Sequence, residues 1–503
     1  MALLNDLEIG RSTAGQFATQ VPIRYTLSIQ RAEKTLLEIN FDVSAFATDA
    51  TNPFRKVIAG DVLGVLPENK PEDVAKIKEY LQADDSSTYF LKKRYEDDEG
   101  STYNEATALQ LLALNPLKIE TLQLLAQRLD AYEDIPAHLE AANQKLRAML
   151  EVYQENPAKI KPLLKHQHLV DVLKNFPNLI TLQEACDCQG ANYRRVYTIA
   201  GIERNETGAP LTIQILAAGD VSYTVPEGGF EAGNDHFGKA IGYLRRQMEA
   251  GSTVNIFAQP RKFGAPEKQR VLLPKTKLFP DHAFLNKLKL PLLMVAAGSG
   301  VSGIRAILEE RSYWKAQGYE VGVAKLIFGI HCRTKDFLCK EDWQKFEKIG
   351  ILERVDLAES RPLQGSKKYV QHLLIQDTYR ADLQAVAQQQ AAIIICGDWR
   401  MGRSLLKAYL PFLLPLAQVT QLPEKLQERL HNPSHADVRQ LFQIGLEQVE
   451  ELRATRFIGA SVSGSRHAKR KFSADEDFAF FLEELGWNQI RETLAKTDFP
   501  ALA

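Results

Sequence analysis

The chain has 503 residues and a formal charge of −1, because its 62 lysines and arginines are matched by 63 aspartates and glutamates. This length predicts roughly two to four domains. The balanced charge gives no electrostatic footprint for nucleic acid, and no apolar run has the roughly 20 residues that a membrane-spanning helix needs. We therefore expect neither a nucleic-acid partner nor a membrane span.

The five cysteines are odd in number, and their spacings fit no zinc pattern. We therefore expect reduced thiols, no disulfide framework and no metal site. The first residues lack both the basic start and the long apolar stretch of a secretory signal. Together these features predict a cytoplasmic protein.

The first part of the chain has the pattern of antiparallel strands. Apolar and polar residues alternate over 23–29 and 36–43, between turn residues. Strands of the same kind return at 195–199, 211–216 and 253–257. The pattern predicts one β domain that is discontinuous in the chain, formed by residues 15–70 and 177–280.

Residues 71–176, between these two parts, have the 3.6-residue period of amphipathic helices, most clearly at 108–114 and 122–129. An acidic loop at 96–100 interrupts the pattern. The sequence therefore predicts a helical domain inserted into the β domain.

From 285 to 455 the pattern changes to buried strand, glycine turn and helix. Strands are predicted at 292–296, 321–328 and 392–396, and helices at 302–313 and 402–410. This alternation indicates a doubly wound parallel sheet. Residues 456–503 are interpreted as an extension with a solvated basic loop at 466–471 and an amphipathic helix at 478–485.

A glycine-rich turn directly follows the first of these parallel strands. Gly298, Ser299 and Gly300 precede a predicted helix, so backbone N–H groups are expected to hold a pyrophosphate at the positive end of the helix. The turn lacks the lysine of a P-loop, which argues against triphosphate hydrolysis. A dinucleotide site is the better fit.

Six motifs in this order resemble the ferredoxin-NADP reductase superfamily. Within it they resemble the FAD- and NADPH-binding half of the diflavin reductases, which include NADPH-cytochrome P450 reductase and the sulfite reductase flavoprotein. The helical insert is similar to the connecting domain of that branch. The motifs are Gly60 with Asp61, residues 195–198, residues 238–241, the turn at Gly298, Ser360 and Arg361 with residues 367–371, and residues 396–398.

The resemblance implies an α+β and α/β multidomain protein. Its parts are an antiparallel β-barrel that binds FAD, an inserted helical connecting domain and a doubly wound domain that binds NADPH. On one strand it places Arg195 at an FAD phosphate, Tyr197 on the isoalloxazine ring and Thr198 near the flavin N5. The remaining FAD contacts that it implies are Val196 and the helix start formed by Gly238, Lys239, Ala240 and Ile241.

For NADPH, the resemblance places the pyrophosphate at Gly298, Ser299 and Gly300. A 2′-phosphate dianion is best held by converging cations and hydroxyl donors. The residues implied for this role are Arg333, Ser360, Arg361, Lys367, Tyr369 and Gln371. Cys396 is expected beside the nicotinamide and Asp398 at the turn that follows, so that the two join Thr198 as the catalytic set.

The chain departs from the family at three positions. Ile241 stands where a threonine or serine is usual. Ala460 replaces an aspartate and Val462 replaces the aromatic residue that covers the flavin. Trp487 or Phe499 is a candidate to restore that cover, with core packing as the alternative.

The resemblance implies a flavoprotein that takes hydride from NADPH to FAD and passes electrons singly to a separate acceptor. Because about twenty residues precede the first β unit, we expect no flavodoxin domain and no FMN in this chain. The acceptor is then a flavodoxin, an iron-sulfur protein or a haem protein. Two alternatives stay open: a flavin-binding or nucleotide-binding scaffold with little turnover, and an NADPH oxidase or dehydrogenase with a small-molecule acceptor.

Overall fold

The computed structural model describes residues 19–30, 35–46, 57, 59–82, 88–91, 101–192, 195–206, 209–219, 222–259, 282–455, 457–463, 474–497 and 499. The acidic loop at 96–100 and the basic run at 466–471 lie outside these ranges. Contacts divide the chain into two compact units. The first unit comprises Met1–Ala45, Leu63–Tyr197 and Ala217–Gln259, and the second comprises Phe46–Val62, Thr198–Leu216 and Pro260–Ala503.

The strands in the described part of the chain belong to a barrel, a parallel sheet and two short ribbons. They are β1 (Thr19–Gln30), β2 (Thr35–Asp42), β3 (Val62–Val65), β4 (Tyr89–Leu91), β5 (Ser101–Tyr103), β6 (Arg195–Arg204), β7 (Pro210–Gly219), β8 (Ser222–Thr224), β9 (Asp235–Phe237), β10 (Thr253–Gln259), β11 (Leu292–Ala297), β12 (Ala324–Ile330), β13 (Leu352–Glu359), β14 (Ala392–Asp398) and β15 (Ile458–Ser463).

The helices fall into an insert between β3 and β6, a helix before β10, and the helices around the parallel sheet. They are α1 (Pro71–Tyr80), α2 (Glu105–Leu111), α3 (Ile119–Leu129), α4 (Ala137–Glu155), α5 (Pro157–His166), α6 (Leu169–Asn175), α7 (Leu182–Gln189), α8 (Ile241–Glu249), α9 (His282–Lys289), α10 (Val301–Ala316), α11 (Arg333–Asp336), α12 (Lys340–Lys348), α13 (Val370–Leu374), α14 (Arg380–Ala387), α15 (Trp399–Ser404), α16 (Leu410–Ala417), α17 (Glu424–Leu430), α18 (His435–Thr455), α19 (Ala474–Leu485) and α20 (Trp487–Ala495). A π-helical turn, Leu405–Tyr409, joins α15 to α16.

The barrel has the strand order β1-β10-β3-β6-β7-β2, and each of its strands places residues in the first unit. In β2 the alternating pattern has its expected effect, since Leu37, Ile39 and Phe41 are fully buried while the residues between them are partly exposed. β1 pairs with β2 and with β10, and both pairings are antiparallel. The strand patterning read from the sequence is therefore confirmed for these elements.

The helical insert extends beyond the predicted residues 71–176, because α7 continues it to Gln189. A capping box fixes the start of α7: Thr181 and Glu184 exchange side-chain and backbone hydrogen bonds. The insert also contains a short ribbon, β4 paired with β5, which was not predicted. Strands of three residues are too short to show a period-two pattern, so no local signal indicated this ribbon.

The second unit is built around a parallel sheet of order β13-β12-β11-β14-β15. The central strand β11 pairs in parallel with β12 and with β14, and five of its six residues are buried. The predicted parallel sheet is confirmed for these strands. Because all of the strands are parallel, their carboxyl ends meet at one edge, which carries the glycine turn and the end of β14.

Several of the described residues after 456 belong to the core of this unit. β15 pairs in parallel with β14 as the fifth strand. Phe481 is fully buried, and its ring lies 5.3 Å from that of Phe412 and 4.7 Å from that of Phe442. Trp487 is partly buried against the edge of this core, and its ring stacks on that of the exposed His435 with centroids 3.9 Å apart.

None of the helices in the described ranges combines the length and the apolar composition needed to cross a lipid bilayer.

Candidate functional site

The glycine turn lies tightly against the end of β14. Gly298 has a φ of +55°, which favours glycine, and the turn Gly298–Gly300 leads directly into α10. A Cβ atom on Gly300 would lie 2.4 Å from the carbonyl oxygen of Cys396 and 2.5 Å from Cα of Gly397. No side-chain hydrogen bond caps the start of α10. The N–H of Val301 already donates to the carbonyls of Gly298 and Ser299, so the N–H groups suited to an anionic group are those of the turn Gly298–Gly300 itself, whose start also has no side-chain cap.

Cys396 and Asp398 lie at the carboxyl end of β14 and have different roles. Cys396 is 6% exposed, and its sulfur fills the space beside Gly303, where an added Cβ would lie 2.9 Å away. Asp398 caps α15, since its Oδ1 accepts a hydrogen bond of 2.9 Å from the N–H of Arg400. The carboxylate therefore fixes the turn after β14.

The backbone of β15 runs beside this end of β14. Ala460 is paired with Ile395, and Val462 is paired with Gly397. Ala460 and Val462, which depart from the family pattern, therefore lie on β15, and β15 is paired with β14, the strand against which the glycine turn packs. The side chains of these two residues lie outside the described part of the chain.

The loop after β13 is closed by backbone hydrogen bonds. The N–H of Ser360 donates to the carbonyl of Ile330, and the N–H of Lys368 donates to the carbonyl of Glu359. Both ends of the loop are thereby held at the carboxyl edge of the sheet. The Ser360 hydroxyl donates to the same Ile330 oxygen at 3.1 Å, so it is engaged within the fold.

The predicted phosphate-binding side chains of this loop are exposed. Arg361, Lys367 and Tyr369 all face solvent, and the Lys367 ammonium lies 4.8 Å from the centroid of the Tyr369 ring. This contact keeps a cation and a phenol side by side. Gln371 is half-buried in the first turn of α13. The loop therefore presents cationic and hydroxyl donors together at one edge of the sheet.

Arg333 is bound to the end of β13. Its backbone N–H donates to Glu359 at 2.8 Å, and its Nε lies 3.4 Å from the same carboxylate. The side chain also lines a cavity of about 410 Å³ together with Trp343 and Leu357. Arg333 and Ser360 therefore lie at the same edge of the sheet, where β12 and β13 end, and the Arg333 guanidinium is paired with the Glu359 carboxylate.

In the first unit, residues 195–197 form the start of β6. Val196 is 59% exposed, whereas Arg195 and Tyr197 are partly buried. Burial raises the pKa of Tyr197 to about 12, although the Arg195 charge opposes the rise. The phenol therefore stays neutral in the physiological range and can offer a polar tip on an aromatic face.

In the second unit, the residue that follows Thr198 contacts the Gly60 motif. Ile199 exchanges backbone hydrogen bonds of 2.8 Å with Gly60 and Asp61. Gly60 has a φ of +89°, which favours glycine at this turn. Two of the six motifs are therefore adjacent in space, although they are far apart in sequence.

The motif at 238–241 leads into α8, which begins at Ile241. Gly238 is buried, Lys239 is half-buried, and Ala240 is the N-cap residue without a side-chain hydrogen bond. Ile241 is 3% exposed, and its side chain lies against Gly219. The residue that replaces the usual serine or threonine therefore fills the core.

A small cavity of about 40 Å³ adjoins this motif. Gly238, Lys239, Lys70 and Arg246 line it. The Lys70 ammonium lies 3.7 Å from the centroid of the Phe237 ring, which also lines the cavity. Burial lowers the pKa of Lys70, which Asp73 partly offsets. The motif therefore lies beside several cationic side chains within the first unit.

His168 borders the same cavity and was not singled out from the sequence. It is 6% exposed, and its Nδ1 has no hydrogen-bond partner among the described residues. Its ring lies parallel to that of His236 with centroids 4.2 Å apart, and the His236 Nε2 lies 2.5 Å from Asp171. Burial holds the pKa of His168 well below its usual range, and the His236 and Lys239 charges add to this effect.

The atoms of His168, Asp171 and His236 lie within 4.8 Å of one another. A shared metal ion would need the ring nitrogens to point at one position. Face-to-face parallel imidazoles direct their lone pairs along separate planes, and lysines border the cluster. The arrangement is that of a hydrogen-bonded aspartate and histidine with a second, neutral histidine stacked on the first.

Residues 294–407 match a family model described as an oxidoreductase NAD-binding domain. The chain is 26% identical to the sulfite reductase [NADPH] flavoprotein alpha-component of Mannheimia succiniciproducens, over 78% of this chain and 56% of the relative. It is 27% identical to the NADPH-cytochrome P450 reductase of Mus musculus, over 74% of this chain and 50% of the relative. The chain therefore spans about half the length of these relatives. The matches confirm the resemblance that the six motifs indicate.

Proposed function

Because the chain is a relative of the diflavin reductases in the ferredoxin-NADP reductase superfamily, we propose that it is an FAD-dependent NADPH reductase with a separate one-electron acceptor. The acceptor class that we propose is a flavodoxin, an iron-sulfur protein or a haem protein. The observation that carries this proposal is the glycine turn Gly298–Gly300, which lies against the end of β14 and has no side-chain cap at its start.

When bound, NADPH supplies a hydride to the flavin, which releases the two electrons one at a time. The fold supplies binding and orientation. The turn at Gly298–Gly300 fits a pyrophosphate, because a Cβ at Gly300 would close the space against Cys396. Lys367, Arg361 and Tyr369 are the exposed donors suited to the 2′-phosphate.

Two of the residues predicted for NADPH have their polar groups engaged elsewhere. The Ser360 hydroxyl donates to Ile330, and Arg333 is paired with Glu359. Their contribution is then to hold the loop and the strand ends in place. Lys367 and Tyr369 are the residues that we propose as the main determinants of NADPH preference.

For the flavin, β6 and α8 present residues of fitting chemistry. Arg195 offers a guanidinium to a phosphate, and Tyr197 offers a neutral aromatic face. The uncapped start of α8 after Gly238 fits a second phosphate group. Thr198 is proposed to hydrogen-bond the flavin near its reacting edge.

At the nicotinamide end, Cys396 and Asp398 act through the end of β14. The Cys396 side chain is buried against Gly303 and offers a soft, weakly polar surface that excludes water. Asp398 holds the start of α15 and thereby the turn after β14. Neither is required to move a proton in this proposal.

Anaerobic titration with NADPH tests the proposal. Purified protein should carry flavin, and its visible band should bleach rapidly with NADPH and slowly with NADH. Added one-electron acceptors should then be reduced catalytically. Flavin that stays oxidised with both nucleotides would overturn the proposal.

One observation favours a second candidate, a flavin-binding or nucleotide-binding scaffold with little turnover. Ile241 points into the core and offers no hydroxyl at the start of α8. A scaffold would retain bound FAD and bind NADP⁺ in a calorimeter, but it would oxidise NADPH no faster than free flavin does. Rapid bleaching in the titration above excludes it.

A further inference from the structure

Arg305 lies one turn into α10 and is almost completely buried, with 6% of its surface exposed. It donates from Nε and Nη2 to the carboxylate of Asp342, at 2.7 and 3.2 Å. Its Nη2 also lies 3.1 Å from Glu309. Burial disfavours the charged guanidinium, but the hydrogen bonds to Asp342 and the negative charges of Asp342 and Glu309 together outweigh it and raise the pKa of Arg305. The side chain is a fixed cation within the second unit.

The third nitrogen of this guanidinium, Nη1, contacts strand β6. Nη1 donates to the carbonyl oxygen of Ala200 at 3.0 Å. Ala200 lies two residues after Thr198, the last residue of the strand segment to which we assign the flavin. Arg305 therefore joins the helix that follows the nucleotide turn to the strand that follows the flavin contacts.

Gly201 provides the space for this contact. A Cβ on Gly201 would lie 2.2 Å from Nη1 of Arg305 and 3.3 Å from its Cζ. The backbone of Gly201 is outside the left-handed region, so its conformation does not require glycine. The glycine at this position is explained by the room that the Arg305 guanidinium occupies.

A second contact joins the same two elements, and here the arginine is on the strand and its partner is on the helix. Arg204 on β6 lies 3.9 Å from Glu310 on α10, and both side chains are about nine-tenths buried. Arg204 also donates to the carbonyl oxygen of Val57 at 3.0 Å. The helix and the strand are therefore fixed at two positions, by an arginine from each side.

We propose that Arg305 is a positioning residue for hydride transfer: through Ala200 and the space at Gly201, it holds α10 and the part of β6 that belongs to the second unit, residues 198–204, in a single fixed arrangement. This inference rests on the proposed function. The attraction between apolar surfaces is non-directional, so apolar packing alone does not select a single arrangement of the two elements. A guanidinium with donors to Asp342 and to a main-chain carbonyl has a fixed direction and permits one arrangement.

The variants Arg305→Lys and Gly201→Ala test this from both partners. Lysine keeps the charge but loses the planar fork, and alanine displaces the guanidinium. Both should slow flavin reduction at saturating NADPH by about tenfold to a hundredfold, the effect expected for reacting groups misplaced by about 1 Å. KM for NADPH and the FAD content should change little, and the visible circular dichroism of the bound flavin should shift.

Arg311→Lys is the matched control. Arg311 is on the same helix and is 3% exposed, but it donates to the carbonyls of Gly322 and Leu290 and not to β6. This variant should lose stability without slowing flavin reduction at saturating NADPH. If Arg305→Lys slows flavin reduction no more than Arg311→Lys does, the inference is wrong.

The double variant Gly201→Ala with Arg305→Ala gives a readout that does not depend on NADPH. Once the guanidinium is gone, the nearest atom that the methyl group added at position 201 meets is the Gln214 Oε1 at 3.1 Å, so Gly201→Ala should destabilise the protein and shift the flavin signal much more when Arg305 is present than when it is not. Additive effects in urea unfolding and in the flavin signal would overturn the inference. Wild-type flavin that NADPH does not reduce would overturn the proposed function instead, while this cycle would still decide whether Arg305 acts through Gly201.

Discussion

Two helices, α8 in the first unit and α10 in the second, begin directly after a glycine motif, and neither has a side-chain hydrogen bond at its start. Their surroundings differ. At α10 the turn is shaped by main-chain contact with β14, and a single added methyl group at Gly300 would collide with the Cys396 backbone. At α8 the buried Ile241 fixes the helix, and charged side chains such as Lys239 lie nearby.

In the proposed function each of these helix starts holds a phosphate group, and the structure prepares the two for it in different ways. The α10 site depends on backbone geometry, which few substitutions leave intact. The α8 site depends on packing and nearby charge, which tolerate change more easily. We expect substitutions at the first site to abolish function and those at the second to weaken it.

The largest effect is expected for Gly300→Ala. The new Cβ would lie 2.4 Å from a backbone oxygen that has no flexible end to move aside. Flavin reduction by NADPH should fall by more than about a hundredfold, while FAD content stays near that of the wild type. Stopped-flow absorbance measures the rate.

Gly318→Ala serves as the control for that change. Gly318 follows the carboxyl end of α10 at a φ of +84°, and an added Cβ there meets nothing within 4 Å. It should cost about 1 kcal/mol of stability through backbone strain, without a specific loss of NADPH reactivity. Equal losses of activity in both variants would refute the steric account of the turn.

The next effect concerns the loop after β13. Lys367→Ala removes the ammonium that lies 4.8 Å from the Tyr369 ring. A charge-assisted hydrogen bond to phosphate contributes about 1.5 to 3 kcal/mol, so KM for NADPH should rise by about tenfold to a hundredfold. Steady-state kinetics with NADH provide the control, because NADH has no 2′-phosphate. A parallel rise in KM for NADH would assign Lys367 a structural role.

A smaller effect is expected for Ile241→Thr, which restores the hydroxyl that is usual in the family. Since the Ile241 side chain packs against Gly219, the hydroxyl would be buried and should destabilise the protein by about 1 to 3 kcal/mol. Ile241→Val should cost about 1 kcal/mol. Thermal unfolding and the rate of FAD release distinguish the two variants. Tighter FAD binding in the threonine variant would show that position 241 faces the cofactor.

The smallest effect concerns the cavity beside α8. Because burial lowers the pKa of His168, the unfolded chain binds a proton at this site more readily than the folded protein does. The stability contributed by neutral His168 is therefore present above about pH 6.5, the ordinary histidine pKa, and is lost as the pH falls below it. The wild type should therefore lose unfolding free energy between about pH 7 and about pH 5, and His168→Gln should reduce that loss. An unchanged difference would contradict this account.

The strand, turn and helix around Gly298 could be predicted from the sequence because they are contiguous. The buried strand before Gly298 and the helix after Gly300 are both local patterns, and the structure has both. The contact of Arg305 with Ala200 could not be predicted, because 105 residues separate them and no periodicity links a buried arginine to a strand carbonyl. His168 was missed for the same reason, since its stacking partner His236 comes from a different part of the first unit.

The loop after β13 lies between these cases. Its residues were identified by resemblance, and the structure places Arg361, Lys367 and Tyr369 on one exposed loop. The sequence did not reveal that Ser360 is engaged by Ile330, because this depends on the parallel neighbour β12. Motif spacing indicates which residues share a loop. It does not indicate which of their polar groups are hydrogen-bonded within the fold, as the Ser360 hydroxyl is.

The burial of α19 has a consequence for the order in which the protein folds during synthesis. Phe481 belongs to the same core cluster as Ile393 and Ile395 of β14. The core of the parallel sheet is therefore incomplete until the ribosome has made α19, whereas the residues of the first unit end at Gln259. Domains generally fold as units as they emerge. We expect the first unit to be compact while the parallel sheet of the second unit, with much apolar surface still uncovered, awaits its final helices.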